Sequence, residues 1–252
     1  MRNLLAGLLF GALAVAATAQ GVKVEIAFSR LDGWPYYIHA ENQPRPGPYF
    51  SLQPSANDFS LIQVNVESIP TVVRGYDHDG PGNRIRCDAK KSILLVRGIP
   101  GVKEGKVKTW YWNGFSSSKL KGKIGRSFTM GLKCDNERYI IKGEWKVPGS
   151  NSGDGEALQW KIQLGRQSWE LDLISSWYLG RDEVLAVEEY LVWVGDLDGD
   201  GKPDFLVRPQ GRHESPHQYL ELSLYLSSQR KARSPWKPAS KFYFWDPAMA
   251  GC

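Results

Sequence analysis

Through much of the chain, apolar side chains fall on every second position. Leu158, Trp160, Ile162 and Leu164 alternate with Gln159, Lys161 and Gln163; after Gly165 the pattern resumes as Trp169, Leu171 and Leu173 against Glu170 and Asp172. Successive side chains of a strand point to opposite faces, so this spacing predicts a hairpin with one face in the core and one in water. The same period recurs in Phe128, Met130, Leu132 and Cys134, and in Leu220, Leu222, Leu224 and Leu226. Tyr190, Leu191, Val192, Trp193 and Val194 form a short β-rich run, as do Phe205, Leu206 and Val207, and Gly and Pro bound both. Helical spacing is scarce, and residues 182–189 are the best candidate for a short helix. The predicted fold class is all-β, a sandwich or an open barrel.

The start of the chain sets an expected location. Arg2 precedes an apolar run over residues 4–16, and Ala17, Thr18 and Ala19 give the small-x-small pattern before Gln20. Such a segment reads as a signal peptide over 1–19, leaving 20–252 as the mature β-rich region. The expected localisation is secreted or periplasmic. No later segment approaches about eighteen consecutive apolar residues, so no membrane span is expected after leader cleavage. The Pro-rich stretch 43–48 and the polar stretch 148–156 are natural loops. A boundary near Pro100 and Gly101 would divide the mature region into a smaller N-terminal and a larger C-terminal unit.

A mature region of this length buries roughly 70% of its unfolded surface, so size alone demands no stabilising ion. In an oxidising compartment two of the three cysteines, Cys87, Cys134 and Cys252, are expected to pair, with Cys252 bonded to one of the others to tether the terminus. The formal charge is +5, with basic groups at Lys119, Lys121, Lys123 and Arg126 and at Arg230, Lys231, Arg233 and Lys237. Such clusters suit anionic envelope polymers, and they also discourage edge-to-edge aggregation. Nucleic-acid binding has no motif behind it and conflicts with export.

The densest chemistry lies in GDLDGDGKPDF, residues 195–205. Asp196, Asp198, Asp200 and Asp204 fall at positions 1, 3, 5 and 9 of a loop, with Gly201 at 6 and the Lys202 carbonyl at 7. Four carboxylates so close together repel one another unless a cation sits among them, and hard oxygen ligands at alternating positions suit Ca²⁺ far better than Zn²⁺. An EF-hand would need a Glu at position 12 and helical flanks, whereas Val207 stands there between strand-like runs. The segment VGDLDGDGKPDFLV, residues 194–207, resembles the FG-GAP or VCBS type of calcium loop found in integrin-like propellers and many secreted bacterial proteins. The resemblance implies a strand-loop-strand unit holding Ca²⁺. It covers a single copy, so a propeller is not expected.

Other candidates are weaker. YDHDGPGN offers Asp77, Asp79 and Asn83, but Pro81 replaces a third aspartate. His213, Glu214 and His217 spell H-E-x-x-H, which resembles the zincin metalloprotease signature. That chemistry needs both histidines on one helical turn, and Pro216 breaks it. Trp110, Tyr111 and Trp112 sit together; in a regular strand Trp110 and Trp112 share a face and could stack on sugar rings. No G-x-S-x-G elbow or phosphate-cradling loop is present, although a carboxylate-pair hydrolase would leave no local spacing to read. The expected function is therefore an exported calcium-binding β-protein, non-catalytic, with Ca²⁺ stabilising the 196–204 loop. The alternatives are an envelope polysaccharide-binding module using Trp110 and Trp112, or a secreted hydrolase, carboxylate-based or zinc-dependent through His213 and His217. Envelope polysaccharide or another exported protein would be the partner.

Overall fold

A computed structural model describes residues 24–27, 37–38, 45–55, 58–73, 80–89, 92–112, 127–146, 157–175, 191–208, 219–231 and 235–245. The leader at 1–19, the helix candidate at 182–189, the loop at 148–156, Asp77, Asp79, Lys119, Lys121, Lys123, Arg126, Arg233, His213, His217 and Cys252 lie outside these residues.

Among the described residues the chain is all-β. Strands β1 to β4 cover Glu25–Ala27, Tyr37–Ile38, Gly47–Pro54 and Phe59–Val73; β5 to β8 cover Gly80–Cys87, Leu94–Arg97, Gly105–Val107 and Thr109–Trp112. Strands β9 to β12 cover Ser127–Cys134, Glu137–Lys146, Ala157–Leu164 and Gln167–Ser175. The last four, β13 to β16, cover Leu191–Gly195, Asp204–Val207, Tyr219–Tyr225 and Ser240–Trp245. One sheet runs β1-β6-β3-β4-β5-β2-β16-β15-β14-β13-β8, with β7 added beside β4, and a separate sheet runs β12-β11-β10-β9. Neither closes into a barrel.

The hairpin predicted from alternation is β11 and β12, joined at Gly165 and Arg166 with Leu164 opposite Gln167. Trp160, Ile162, Trp169 and Leu171 turn inward. The run containing Leu132 and Cys134 is β9, and the leucines from Leu220 onward lie in and just beyond β15.

Two hydrophobic clusters flank β13, β14 and β15. Val192, Trp193, Leu206, Leu222 and Leu224 join Tyr49, Leu52, Leu61, Val64 and Leu95 from β3, β4 and β6. On the opposite face Leu191, Val194, Phe205, Val207 and Tyr225 meet Tyr139, Ile141, Trp160, Ile162 and Trp169 of the four-stranded sheet. These strands are thus the middle layer of a sandwich, covered on both sides. Double burial is why β13 and β14 read as unbroken apolar runs while β11 and β12 alternate. The first cluster also holds Ile99 and draws from both sides of Pro100 and Gly101.

Candidate metal centre

The acidic loop links β13 to β14, whose register pairs Gly195 with Asp204. Gly195 lies where nothing larger fits, since a Cβ would fall 2.1 Å from Trp193 Cζ2 and 2.5 Å from the Lys108 carbonyl oxygen. This close approach lets the Asp196 N–H donate to the Lys108 carbonyl at 2.8 Å, which fastens the loop entrance to the β7–β8 link. Gly199 and Gly201 take φ of 77° and 80°, the left-handed backbone that glycine tolerates best and that folds the carboxylates inward. A third glycine, Gly101 at φ 84°, backs onto the loop; a Cβ there would lie 2.8 Å from the Asp198 carbonyl oxygen.

Asp204 is fully buried. Its Oδ2 accepts the Leu197 N–H and its Oδ1 the Ser227 N–H, each at 2.7 Å. Asp196 Oδ2 accepts the Gly201 N–H at 3.0 Å, whereas its Oδ1 is buried with no hydrogen-bond donor. Asp198 Oδ1 accepts the Asp200 N–H at 3.3 Å, and its Oδ2 accepts the Ser228 hydroxyl. Asp200 is exposed and directed elsewhere, with Oδ1 on the Lys202 N–H and Oδ2 on the Ser227 hydroxyl, both at 2.8 Å. Lys202 stands exposed at the tip.

Asp196, Asp198 and Asp204 each bring one carboxylate oxygen to within 4.8 Å of the other two. Oxygens that share a cation at about 2.4 Å lie no more than about 5 Å apart, so these three residues fit a single metal ion. Electrostatics agree with the geometry. Burial pushes the Asp204 carboxyl up to about 7; the nearby Asp198 charge adds to this, and the Ser227 and Leu197 N–H groups oppose it. Asp196 is raised as well, first by burial and then by Asp198 and Asp200, against the Gly201 N–H. Two carboxylates that resist ionisation beside a third are a site whose negative charge lacks a partner.

The serines were not expected from sequence. They lie in a 3-10 turn, Ser227–Gln229, just past β15, and reach the loop because β15 pairs with β14. Only the strand register places them there, and no local spacing announces it.

The aromatic triplet departs from its expected arrangement. The pairing of β8 with β13 slips between Tyr111 and Thr109, so Trp110 is a bulge. Trp110 and Tyr111 therefore pack on the same cluster as the four-stranded sheet, while Trp112 turns to Phe59 in the other, with ring centroids 5.1 Å apart. The bulge undoes strand alternation, and Trp110 and Trp112 form no common shelf. Trp110 is further occupied by Asp135, which accepts its indole N–H at 3.3 Å, and by the Lys108 ammonium 5.4 Å from the ring centroid.

Cys134 is a buried free thiol; burial first, then Asp135 and Glu137, push it up to about 12. It is not bonded to Cys87. The chain matches no known family model, no curated protein and no solved structure.

Proposed function

We propose that this protein is an exported calcium-binding β-protein in which Ca²⁺ joins Asp196, Asp198 and Asp204 and stabilises the 196–204 loop without catalysing a reaction. The reading is carried by three converging carboxylates, among them Asp196, whose Oδ1 is buried without a donor. Oxygen-only ligands on a flexible, glycine-bearing loop favour Ca²⁺ over Mg²⁺, which demands a tighter octahedron, and over Zn²⁺, which prefers nitrogen and sulfur. Asp200 and the Lys202 carbonyl complete the set once Asp200 releases Ser227. With the ion bound, its two positive charges offset part of the carboxylate charge of the turn between β13 and β14, and the middle layer holds its register.

The test is calorimetric titration of metal-free protein with CaCl₂ and MgCl₂, paired with thermal melting. Uptake of one Ca²⁺ is expected, with stabilisation of about 2.7 kcal/mol at one hundred times the dissociation constant. Asp196→Asn should remove that gain, while the metal-free melt falls no lower than that of the parent, because a neutral amide replaces a carboxyl whose ionisation burial disfavours. No heat at millimolar calcium would refute the assignment.

A further inference from the structure

The outer face of the four-stranded sheet carries four basic residues, three of which make no ion pair with a carboxylate among the described residues. Leu132, Cys134, Tyr139, Ile141, Trp160 and Ile162 turn inward, so alternation sets Lys133, Arg138, Lys142 and Lys161 on the opposite face. Register places Lys133 directly opposite Arg138 and Lys142 directly opposite Lys161. Like charges in direct cross-strand positions are destabilising.

Among the described residues an ion pair reaches one of the four. Lys161 Nζ lies 3.3 Å from Glu170 Oε1. The two acids at the β9–β10 turn are engaged elsewhere, Asp135 by Lys108 and Trp110, Glu137 by the Tyr139 hydroxyl at 2.7 Å. Among the described residues no carboxylate pairs with Lys133, Arg138 or Lys142. Arg138 lies across Gly131, where a Cβ would meet its guanidinium at 3.2 Å. The missing side chain lets the planar fork rest on the strand at an exposed position.

We infer that this face binds a linear acidic polysaccharide, whose carboxylate or sulfate groups meet Lys133, Arg138 and Lys142. A guanidinium fork matches such groups in bidentate fashion. Arg138 and Lys142 stand about 13 Å apart along β10, beyond the reach of one small anion, so the occupant is a polymer. Among the described side chains of this sheet, Tyr139, Trp160 and Trp169 are all buried and offer no ring on which nucleic-acid bases would stack. Ile140 is half-buried and offers little to insert into a bilayer. The surface is separate from the acidic loop and does not depend on the metal.

The experiment uses the full mature chain at fixed calcium and measures anisotropy of labelled polygalacturonate and dextran sulfate over a salt series. Neutral dextran, duplex DNA and anionic phospholipid vesicles are run alongside. The triple variant K133Q/R138Q/K142Q should bind the acidic polymers about tenfold or more weaker and flatten the dependence of log K on log salt. K106Q, which alters a lysine paired with Asp58 on β7, should bind as the parent does. Should the triple variant melt below the parent, R138K and K142Q singly carry the test, each expected to weaken binding about threefold. Equal binding by parent and variants, equal binding of neutral dextran, or tighter binding of DNA or vesicles would overturn the inference.

Discussion

Ser227 hangs from Asp204 across 23 residues of chain, its N–H donating to Oδ1 at 2.7 Å inside a fully buried contact. The second oxygen of the same carboxylate takes the Leu197 N–H at 2.7 Å. One side chain thus closes both the acidic loop and the turn after β15, whatever else it binds. A buried carboxylate with two backbone donors is structural as well as a metal ligand candidate.

Asp204→Ala is therefore expected to destabilise the protein with or without calcium. The change removes two hydrogen bonds and strands two buried N–H groups, a loss of about 3 kcal/mol. Denaturant melts in chelator and in calcium should both show lower stability, unlike those of Asp196→Asn, which should lose stability only in the calcium arm. If Asp204→Ala melts like the parent in chelator, the clamp contributes nothing.

The raised carboxyls set a pH dependence of unusual sign. In the folded, metal-free protein burial lifts Asp204 to about 7, whereas unfolding returns it to the ordinary carboxylate range near 3.8. Between those values the folded state holds more protons than the unfolded state, so stability falls as pH rises. The contribution is fully present below about 4 and lost through about 7. Asp196 shifts in the same direction and adds to the effect. Under the proposed function calcium would displace those protons, so protein loaded with calcium should gain stability over the same window. Melting of resin-stripped protein at about pH 4.5 and 7.5, with and without calcium, checks both signs.

Much of this architecture can be read directly from residue order, but only where a strand has one wet face. Trp160 and Lys161 alternate visibly because water covers one side of β11, so the hairpin and its inward residues follow from spacing. Val192 and Trp193 lie in the same cluster because the pairing of β13 with β14 slips beside them, and no periodicity reports that shift. The acidic loop was evident because its carboxylates lie close in sequence. Ser227, Ser228 and Gly101 were not, because they reach the loop only through tertiary packing.

Gly101 packs the turn after Ile99 against the acidic loop, and Gly101→Ala tests that connection. A Cβ would meet the Asp198 carbonyl oxygen at 2.8 Å, and φ of 84° is itself unfavourable for alanine by about 1–2 kcal/mol. Backbone is what the methyl strikes, so relief requires the loop to move. The variant should lose about 2–3 kcal/mol of stability and bind calcium more weakly. A melt and a titration matching the parent would show that the turn and the loop are independent.

Trp236 offers the sharpest test of the layered core, because it ties the middle sheet to the outer one. Its N–H donates to the Glu170 carbonyl at 2.9 Å and its indole N–H to the Leu226 carbonyl at 3.1 Å. Edge-to-face contacts join its ring to Phe205 and Tyr225 of the middle layer at 5.6 and 5.9 Å, and to Trp169 of the outer sheet at 6.4 Å. Arg230 covers the group, stacked 3.9 Å from the Trp169 centroid. Replacing Trp236 by Ala opens a cavity among these rings and leaves the Leu226 carbonyl without its donor, at a cost of about 4 kcal/mol. Trp236→Phe keeps most of the packing but not the indole N–H, so it should cost about 1–2 kcal/mol. Near-UV circular dichroism should lose intensity in the alanine variant, and hydrogen exchange should accelerate in β9 to β12 before β3 to β6. Uniform acceleration across both regions would mean that the two clusters unfold as one unit and that Trp236 is not the joint between them.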